Sequence, residues 1–200
     1  MINQRRHLPH RGRDRRTTLV LVALLSITLL SIPRAEATIV RYRTIRSMAT
    51  ISDAIVRGTV VKSVAIWRNR TAVTQTTIQL VADYSKRQIR DRSVVIESPG
   101  GTVGGLVVQV SGSPSFKVGD EVVLFLRRHR NGGYRTIGLA LGVFRLSLVK
   151  GEWFAVRQTR DLHVVRSPKD TTAVTPMPTF HLDDLIDVIR DAQRQSTTSP

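Results

Sequence analysis

Two groups of arginine residues in this sequence have the residue type and the spacing that could form a binding site. One group lies in residues 85–93 (SKRQIRDRS) and the other in residues 127–133 (RRHRNGG). Clustered guanidinium groups attract anions electrostatically. This attraction weakens as salt is added and does not depend on the sequence of the bound polymer. If the fold brings both segments to one end, the predicted anion-binding residues are Arg87, Arg90, Arg92, Arg127, Arg128 and Arg130.

A glycine-rich stretch at residues 99–105 (PGGTVGG) has the composition of a loop that could cradle a phosphate. Such a loop ends in Gly-Lys-Ser or Gly-Lys-Thr and leads into a helix, whereas here an apolar strand-like run follows. We therefore interpret the glycines of this chain as turns and bulges. The predicted structural positions are Gly58, Gly100, Gly101, Gly104, Gly105 and Gly119.

The histidine residues that could act in catalysis or hold a metal are scattered. His129 lies in a charged segment, His163 in a late strand-like run and His181 at the start of a helical pattern. The sequence has no Gly-x-Ser-x-Gly elbow, no His-x-x-x-His and no Asp-x-Asp loop. Thiol chemistry is excluded because the chain has no cysteine. We predict no catalytic residue, no cofactor and no metal site, and hence a non-enzymatic protein.

Residues 1–37 have the pattern of an export signal. A basic segment that includes the pair Arg15-Arg16 precedes the uncharged run 17–32, and Ala35 and Ala37 supply the small-x-small cleavage pattern. We expect cleavage near Ala37 and a periplasmic or extracellular location. A retained N-terminal membrane anchor is the alternative, and both the general secretory and the twin-arginine routes stay open. An exported chain without cysteine has no disulfide framework, so packing must hold it together.

Short runs of alternating apolar and polar residues follow the signal and are separated by glycine- and proline-containing turns. This pattern predicts a mainly β protein: a small OB-like barrel, closed or partly open, of about 6–9 antiparallel strands. We expect a short N-terminal helix before the barrel. One C-terminal helix is also predicted, because apolar residues recur at helical spacing there, at Leu182, Leu185, Ile186 and Ile189.

Residues 94–126 form the predicted centre of the barrel, because strand-like runs there alternate with glycine clusters and end in the apolar run 121–126. The predicted organisation around it has six parts. These are a signal peptide at 1–37, a basic N-terminal segment with a short helix at 38–52, the barrel at 53–166, a linker at 167–179, a C-terminal helix at 180–195 and a disordered tail at 196–200.

Four stretches of the chain resemble a group of uncharacterised exported bacterial proteins. They are residues 53–60 (DAIVRGTV), 99–105 (PGGTVGG), 116–126 (FKVGDEVVLFL) and 138–144 (GLALGVF). The layout is also similar, more distantly, to the OB-like barrel of netrin-type and metalloprotease-inhibitor domains. The resemblance implies a fold and no established activity. Those inhibitor domains rely on cysteines, including one that engages the protease metal, and this chain has none.

The overall charge and the scarcity of aromatic residues limit the classes of partner. The formal net charge is +16, which favours an anionic partner, but aromatic residues make up only 5% of the chain. A nucleic-acid ligand is disfavoured, because sequence-blind binding of single strands relies on aromatic stacking. The leading hypothesis is a module that binds a protein or another envelope component. The alternatives are an anionic polymer or lipid surface bound by the arginine loops, and a cysteine-free inhibitor-like domain; other membrane contact is expected only through an uncleaved signal.

Overall fold

The computed structural model describes residues 39–129, 132–158, 163–165 and 179–198. Strands and helices follow one another in the order β1 Ile39–Arg41, α1 Ile45–Ile51, β2 Ala54–Arg68, β3 Thr71–Asp83, β4 Ser93–Pro99, β5 Gly101–Val103, β6 Leu106–Val108, β7 Glu121–Arg128, β8 Tyr134–Thr136, a 3-10 turn at Leu139–Gly142, β9 Val143–Val149, β10 Glu152–Arg157, β11 His163–Val165, β12 Thr179–His181 and α2 Leu182–Thr198. The prediction of a mainly β fold with a short N-terminal and a C-terminal helix is confirmed.

The core of the fold is a closed barrel of the OB-like type. Its strands pair in the order β7-β2-β3-β4-β8, and β8 pairs with β7 again to complete the circle. The closing contact between β4 and β8 is parallel and has Ile96 opposite Tyr134. Both strands are entered from the same end of the barrel, and that direction of entry makes the pair parallel.

Strand β7 is apolar on both faces because it serves two cores. Val122, Leu124 and Leu126 point into the barrel, where they pack with residues such as Val56 and Ile96. Val123 and Phe125 point outward and are covered by the helices. Each side chain in Val122–Leu126 is fully buried, which stabilises the fold by about 1.5–3 kcal/mol for each large aliphatic residue.

Helix α2 closes the second core over strands β7, β9 and β10. Its buried residues, Leu182, Leu185, Ile186 and Ile189, are those whose spacing predicted the helix. The sequence-based start of this helix at residue 180 was wrong. Phe180 and His181 instead form strand β12, which pairs with β10 and places His181 opposite Phe154.

Strands β2 and β3 extend well beyond the barrel as a long hairpin. Strand pairing continues to Arg68 and Thr71. Only Asn69 and Arg70 form the turn, and both have positive φ values, 47° and 67°. This is the turn geometry that matches the twist of a two-residue hairpin. We call residues 61–77 of this hairpin, where β3 is the one described strand that pairs with β2, the arm.

The glycine-rich stretch forms a second, smaller hairpin that packs on the arm. Gly104 and Gly105 make its tight turn between β5 and β6, with φ values of 58° and 80°. Gly101 approaches β2 so closely that a Cβ atom there would lie 2.7 Å from the Ala65 Cβ atom. Of the other predicted structural glycines, Gly58 lies at a register shift of β2, and Gly100 and Gly119 have positive φ.

Several predictions concern residues outside the described ranges. The signal segment with Ala35 and Ala37, the arginine at position 130, nearly all of the linker at 167–179 and the end of the tail belong to this group. The part of the tail that is described, residues 196–198, continues helix α2.

Candidate functional site

The loops that carry the predicted arginine site leave the barrel at the same end. One loop leads into β4 and the other leads into β8, and these two strands lie side by side in parallel. The contact is close, because a Cβ atom on Gly133 would lie 3.4 Å from the carbonyl oxygen of Val95. Arg92 is tied to the barrel by its carbonyl oxygen, which accepts a 2.9 Å hydrogen bond from the Leu80 amide.

The arginine end is defined here by six exposed residues: Arg87, Arg90 and Arg92 from the first loop and Arg127, Arg128 and Arg135 from strands β7 and β8. Arg135 was not among the predicted residues. It belongs to the site because it lies directly opposite Arg127 in the register of β7 and β8. The sequence could not indicate this pairing, since the length of the intervening turn was unknown. Arg130 lies outside the described residues.

None of the six arginines forms an ion pair within the part of the chain that the structure describes. The carboxylates of nearby acids have other partners. Asp53 accepts a hydrogen bond from the backbone amide of Arg128, and Asp83 accepts hydrogen bonds from the amides of Ser85 and Ile89. Asp91 lies exposed in the first loop itself. The positive charge at this end is therefore available to an external anion.

Arg128 differs from its neighbours because its guanidinium group lies over an aromatic ring. The Arg128 Cζ atom is 5.7 Å from the centre of the Tyr134 ring, within the distance for a cation–π contact. Tyr134 is half-buried and packs on the barrel interior. Arg128 thus covers Tyr134.

The first arginine loop is anchored at its start by helix α2. Gln193 donates a 2.8 Å hydrogen bond to the carbonyl oxygen of Tyr84, and Lys86 donates to Ser196. Burial raises the pKa of the Tyr84 phenol above its usual value, and the nearby charges of Arg57 and Arg190 oppose this shift. Because its start is fixed, the loop presents Arg87 from a defined position.

A different arginine, Arg157, is buried and serves the structure. It is only 2% exposed, and it donates hydrogen bonds to the carbonyl oxygens of Leu141 (2.9 Å) and Arg43 (2.8 Å). Its Cζ atom lies 5.4–5.5 Å from the ring centres of Phe144 and Tyr42. Burial lowers the pKa of this guanidinium group from its usual value, and Tyr42 opposes the shift. Arg157 thereby ties β10 to the segment before α1.

The histidine residues considered for chemistry lie on separate elements. His129 follows β7, His163 belongs to β11, and His181 ends β12. The His181 ring contacts the Phe154 ring at a tilt of 46°, with 4.4 Å between ring centres, and its Nδ1 atom is 3.8 Å from a carboxylate oxygen of Glu152. Among the described residues, no group of three or more His, Cys, Asp or Glu side chains is placed to hold a metal ion.

The fold and the site define this chain as an OB-like barrel with a basic end. Comparisons with protein-family models and with curated proteins gave no match. The resemblance to exported bacterial proteins therefore stays a prediction. Within the described ranges, no helix combines the length and the apolar character needed to cross a bilayer.

Proposed function

We propose that this chain is a non-enzymatic, exported binding module whose arginine end binds an anionic polymer of the cell envelope. One observation carries the proposal: six exposed arginines from separate elements lie at one end of a closed barrel, and no described acid neutralises them. Such a cluster raises the positive electrostatic potential at the surface and attracts polyanions.

The register of β7 and β8 supports this proposal. Like charges directly opposite each other in an antiparallel pair are destabilising, and Arg127 faces Arg135 in this way. A fold without a role for these charges could relieve the repulsion with one acidic residue. A bound anion relieves it equally well, which is typical of a binding site that sacrifices some stability.

The distribution of aromatic residues favours a polysaccharide over a nucleic acid. Single-stranded nucleic acids bind by stacking their bases on exposed rings. At the arginine end the described aromatic residues are Tyr84 and Tyr134; both are half-buried, and Tyr134 is covered by Arg128. A sulfated or carboxylated polysaccharide needs charge and hydrogen-bond donors, which guanidinium groups supply.

The experiment is chromatography of the mature chain on immobilised heparin with a salt gradient. We expect retention that falls steeply with salt, because exposed charges are screened beyond about 10 Å at 0.1 M salt. The triple variant R87Q/R127Q/R135Q should elute much earlier. Each lost contact should reduce the slope of log affinity against log salt by about one.

The control variant removes the same charge from another surface. Arg46, Arg190 and Arg194 lie exposed on the two helices, so R46Q/R190Q/R194Q has the same net charge as the triple variant of the arginine end. Equal loss of retention in both would show a non-specific charge effect and would contradict the proposal. Stronger binding to a thymidine oligonucleotide or to vesicles of phosphatidylglycerol would replace the polysaccharide with that ligand.

A protein of the cell envelope is the other candidate partner, and the exposed apolar residues of the arm favour it. Val64 is 42% exposed and Trp67 is 47% exposed, on a surface remote in sequence from the arginine loops. A protein partner is therefore the second candidate function.

A further inference from the structure

One edge of β2 has no partner strand over half of its length. On one side, β3 pairs with β2 as far as Arg68. On the other side, β7 pairs only from Ala54 to Thr59, and the last backbone contacts join Val60 to Gly119 and Asp120. Within the described part of the chain, no strand pairs with residues 61–68 on this side. We call residues 61–68 of β2 the open edge.

The open edge carries exposed apolar side chains. Val61, Val64 and Trp67 are 47%, 42% and 47% exposed. The hairpin that packs on the arm adds Leu106 and Val107, which are 63% and 72% exposed. Unpaired backbone groups beside exposed apolar side chains form a template for another strand.

The devices that usually protect an edge strand are present only at the start of the open edge. Lys62 is exposed there, and a register shift lies between Val60 and Lys62. From Ser63 to Trp67 the edge has no proline, no charge and no further register shift. Natural sheets use such features to prevent pairing, so their absence over this stretch leaves it competent to pair.

The charges around the open edge indicate the chemistry of its occupant. Lys62 and Arg70 are exposed at its two ends. Arg68 is already neutralised, because it forms an ion pair with Glu97, which also accepts a 2.9 Å hydrogen bond from Gln75. A strand with acidic residues toward its ends would complement Lys62 and Arg70, and apolar residues between them would cover Val64 and Trp67.

A second copy of this chain fits the same edge less well. The formal net charge of the chain is +16, so two copies repel each other at moderate ionic strength. In an edge-to-edge pair, Lys62 would also be brought toward the basic residues of the other copy. Charge complementarity therefore favours a separate, acidic partner.

We propose that the open edge of β2 binds an extended segment of a partner protein, in which apolar residues are flanked by acidic ones, as an added β-strand. Backbone hydrogen bonds along the edge would supply affinity. Val64, Trp67 and the flanking cations would supply specificity, as in other complexes formed by strand addition. This inference rests on the second candidate function and is independent of the arginine end.

The probe is a synthetic peptide of about ten residues with valines in its middle and two glutamates at each end, long enough to span the open edge. Isothermal titration calorimetry with the mature chain should detect binding. The same peptide with lysine in place of glutamate should not bind. Hydrogen exchange should show new protection of the amides of residues 61–68 in the complex.

The variants Val64→Ser and Trp67→Ala should each weaken peptide binding by about tenfold, as expected for a central apolar anchor. The matched control is Leu148→Ser, which removes another apolar residue that is 57% exposed, at the tip of β9 and β10. Because these side chains are exposed, circular dichroism should show an unchanged fold. Heparin retention should also be unchanged in all three, which separates this inference from the arginine end.

Three results would overturn the proposal. The first is an absence of binding by the glutamate peptide, or binding that Val64→Ser and Trp67→Ala leave unchanged. The second is a dimer in sedimentation experiments that Val64→Ser abolishes, because a second copy would then occupy the edge. The third is full amide protection of residues 61–68 in the free monomer, because the chain itself would then cover this edge.

Discussion

Arg127 and Arg135 lie directly opposite each other on strands β7 and β8, and both side chains point to solvent. Neither has an acidic partner among the described residues. The pair is a local source of repulsion on the strand that closes the barrel, and the cost is tolerable because water and salt screen it. The same two side chains present a pair of guanidinium groups to one anion.

The variant Arg135→Glu should therefore stabilise the free protein and weaken its binding to heparin. A cross-strand pair of opposite charges replaces a like-charge pair, so the free energy of unfolding should rise by about 0.5 kcal/mol at low salt. Urea denaturation and salt-gradient elution measure the two effects. A loss of both stability and retention would contradict this account, because it would mean that Arg135 supports the fold.

Substitution of Gly101 should damage the fold far more than substitution of Gly119. In Gly101→Ala the new Cβ atom would lie 2.5 Å from Thr74 Oγ1 and 2.7 Å from Ala65 Cβ, and φ is 139°. We expect a loss of at least about 2 kcal/mol in the free energy of unfolding. Gly119→Ala also has a positive φ but meets no atom within 4 Å, so a loss of about 1 kcal/mol is expected. Urea denaturation of both variants provides the comparison; equal losses would mean that the hairpin is not packed against the arm.

Lysine should be a poor substitute for Arg157 in the folded protein. The planar guanidinium group donates in two directions, to Leu141 and Arg43, and lies beside two aromatic rings. An ammonium group cannot reproduce this geometry, so Arg157→Lys should lower the free energy of unfolding by about 2 kcal/mol. Arg145→Lys is the control, because Arg145 also makes an ion pair and a carbonyl hydrogen bond but is more exposed. An equal effect of the two changes would exclude a special role for the buried site.

Tyr84 should make the protein less stable at alkaline pH. Its pKa is raised in the folded state because burial disfavours the phenolate. The unfolded chain then loses the proton first, so the stabilisation is complete below the ordinary value of 10.0 and is lost as pH rises through the folded pKa. Urea midpoints measured from about pH 8 to about pH 11 should fall less in Tyr84→Phe than in the parent chain. A parallel decline in both proteins would assign the alkaline loss to other groups.

The proposed export signal gives a prediction that mass spectrometry can check. Expression of the full chain in a bacterial host should yield a mature protein beginning at Thr38. Ala35→Leu places a large residue where the peptidase requires a small one, so it should block cleavage and retain the precursor. Ala23→Leu, inside the apolar run, is the control and should leave processing intact. Correct processing of Ala35→Leu would show that the cleavage position was wrongly assigned.

Much of the fold could be predicted because local pattern and final environment agree. The spacing of Leu182, Leu185 and Ile189 predicted the face of α2 that is buried. Phe180 and His181 could not be assigned to a strand, because they become one only through pairing with β10.

The site was less predictable, because it depends on which residues face each other across strands. Charge runs identified the two arginine loops, but the partnership of Arg127 with Arg135 follows from a register that no local pattern specifies. The open edge of β2 could not be predicted from the sequence either, because it depends on the residue at which β7 stops pairing with β2. The sequence does carry a signal for the burial of Arg157. Arg157 follows Ala155 by two residues in strand β10, so both side chains lie on the same face, and that face is buried.

The closing strand of the barrel, β8, has a kinetic consequence. It consists of three residues and joins β4 through a single register pair. Most of the barrel is held by longer ladders, so transient openings should begin at the junction of β4 and β8, and its amides should exchange hydrogen fastest. The arginines flank this junction on both sides. A polymer that binds arginines on both sides would hold the two strands together. Hydrogen exchange at the junction should therefore become slower when the polymer is bound.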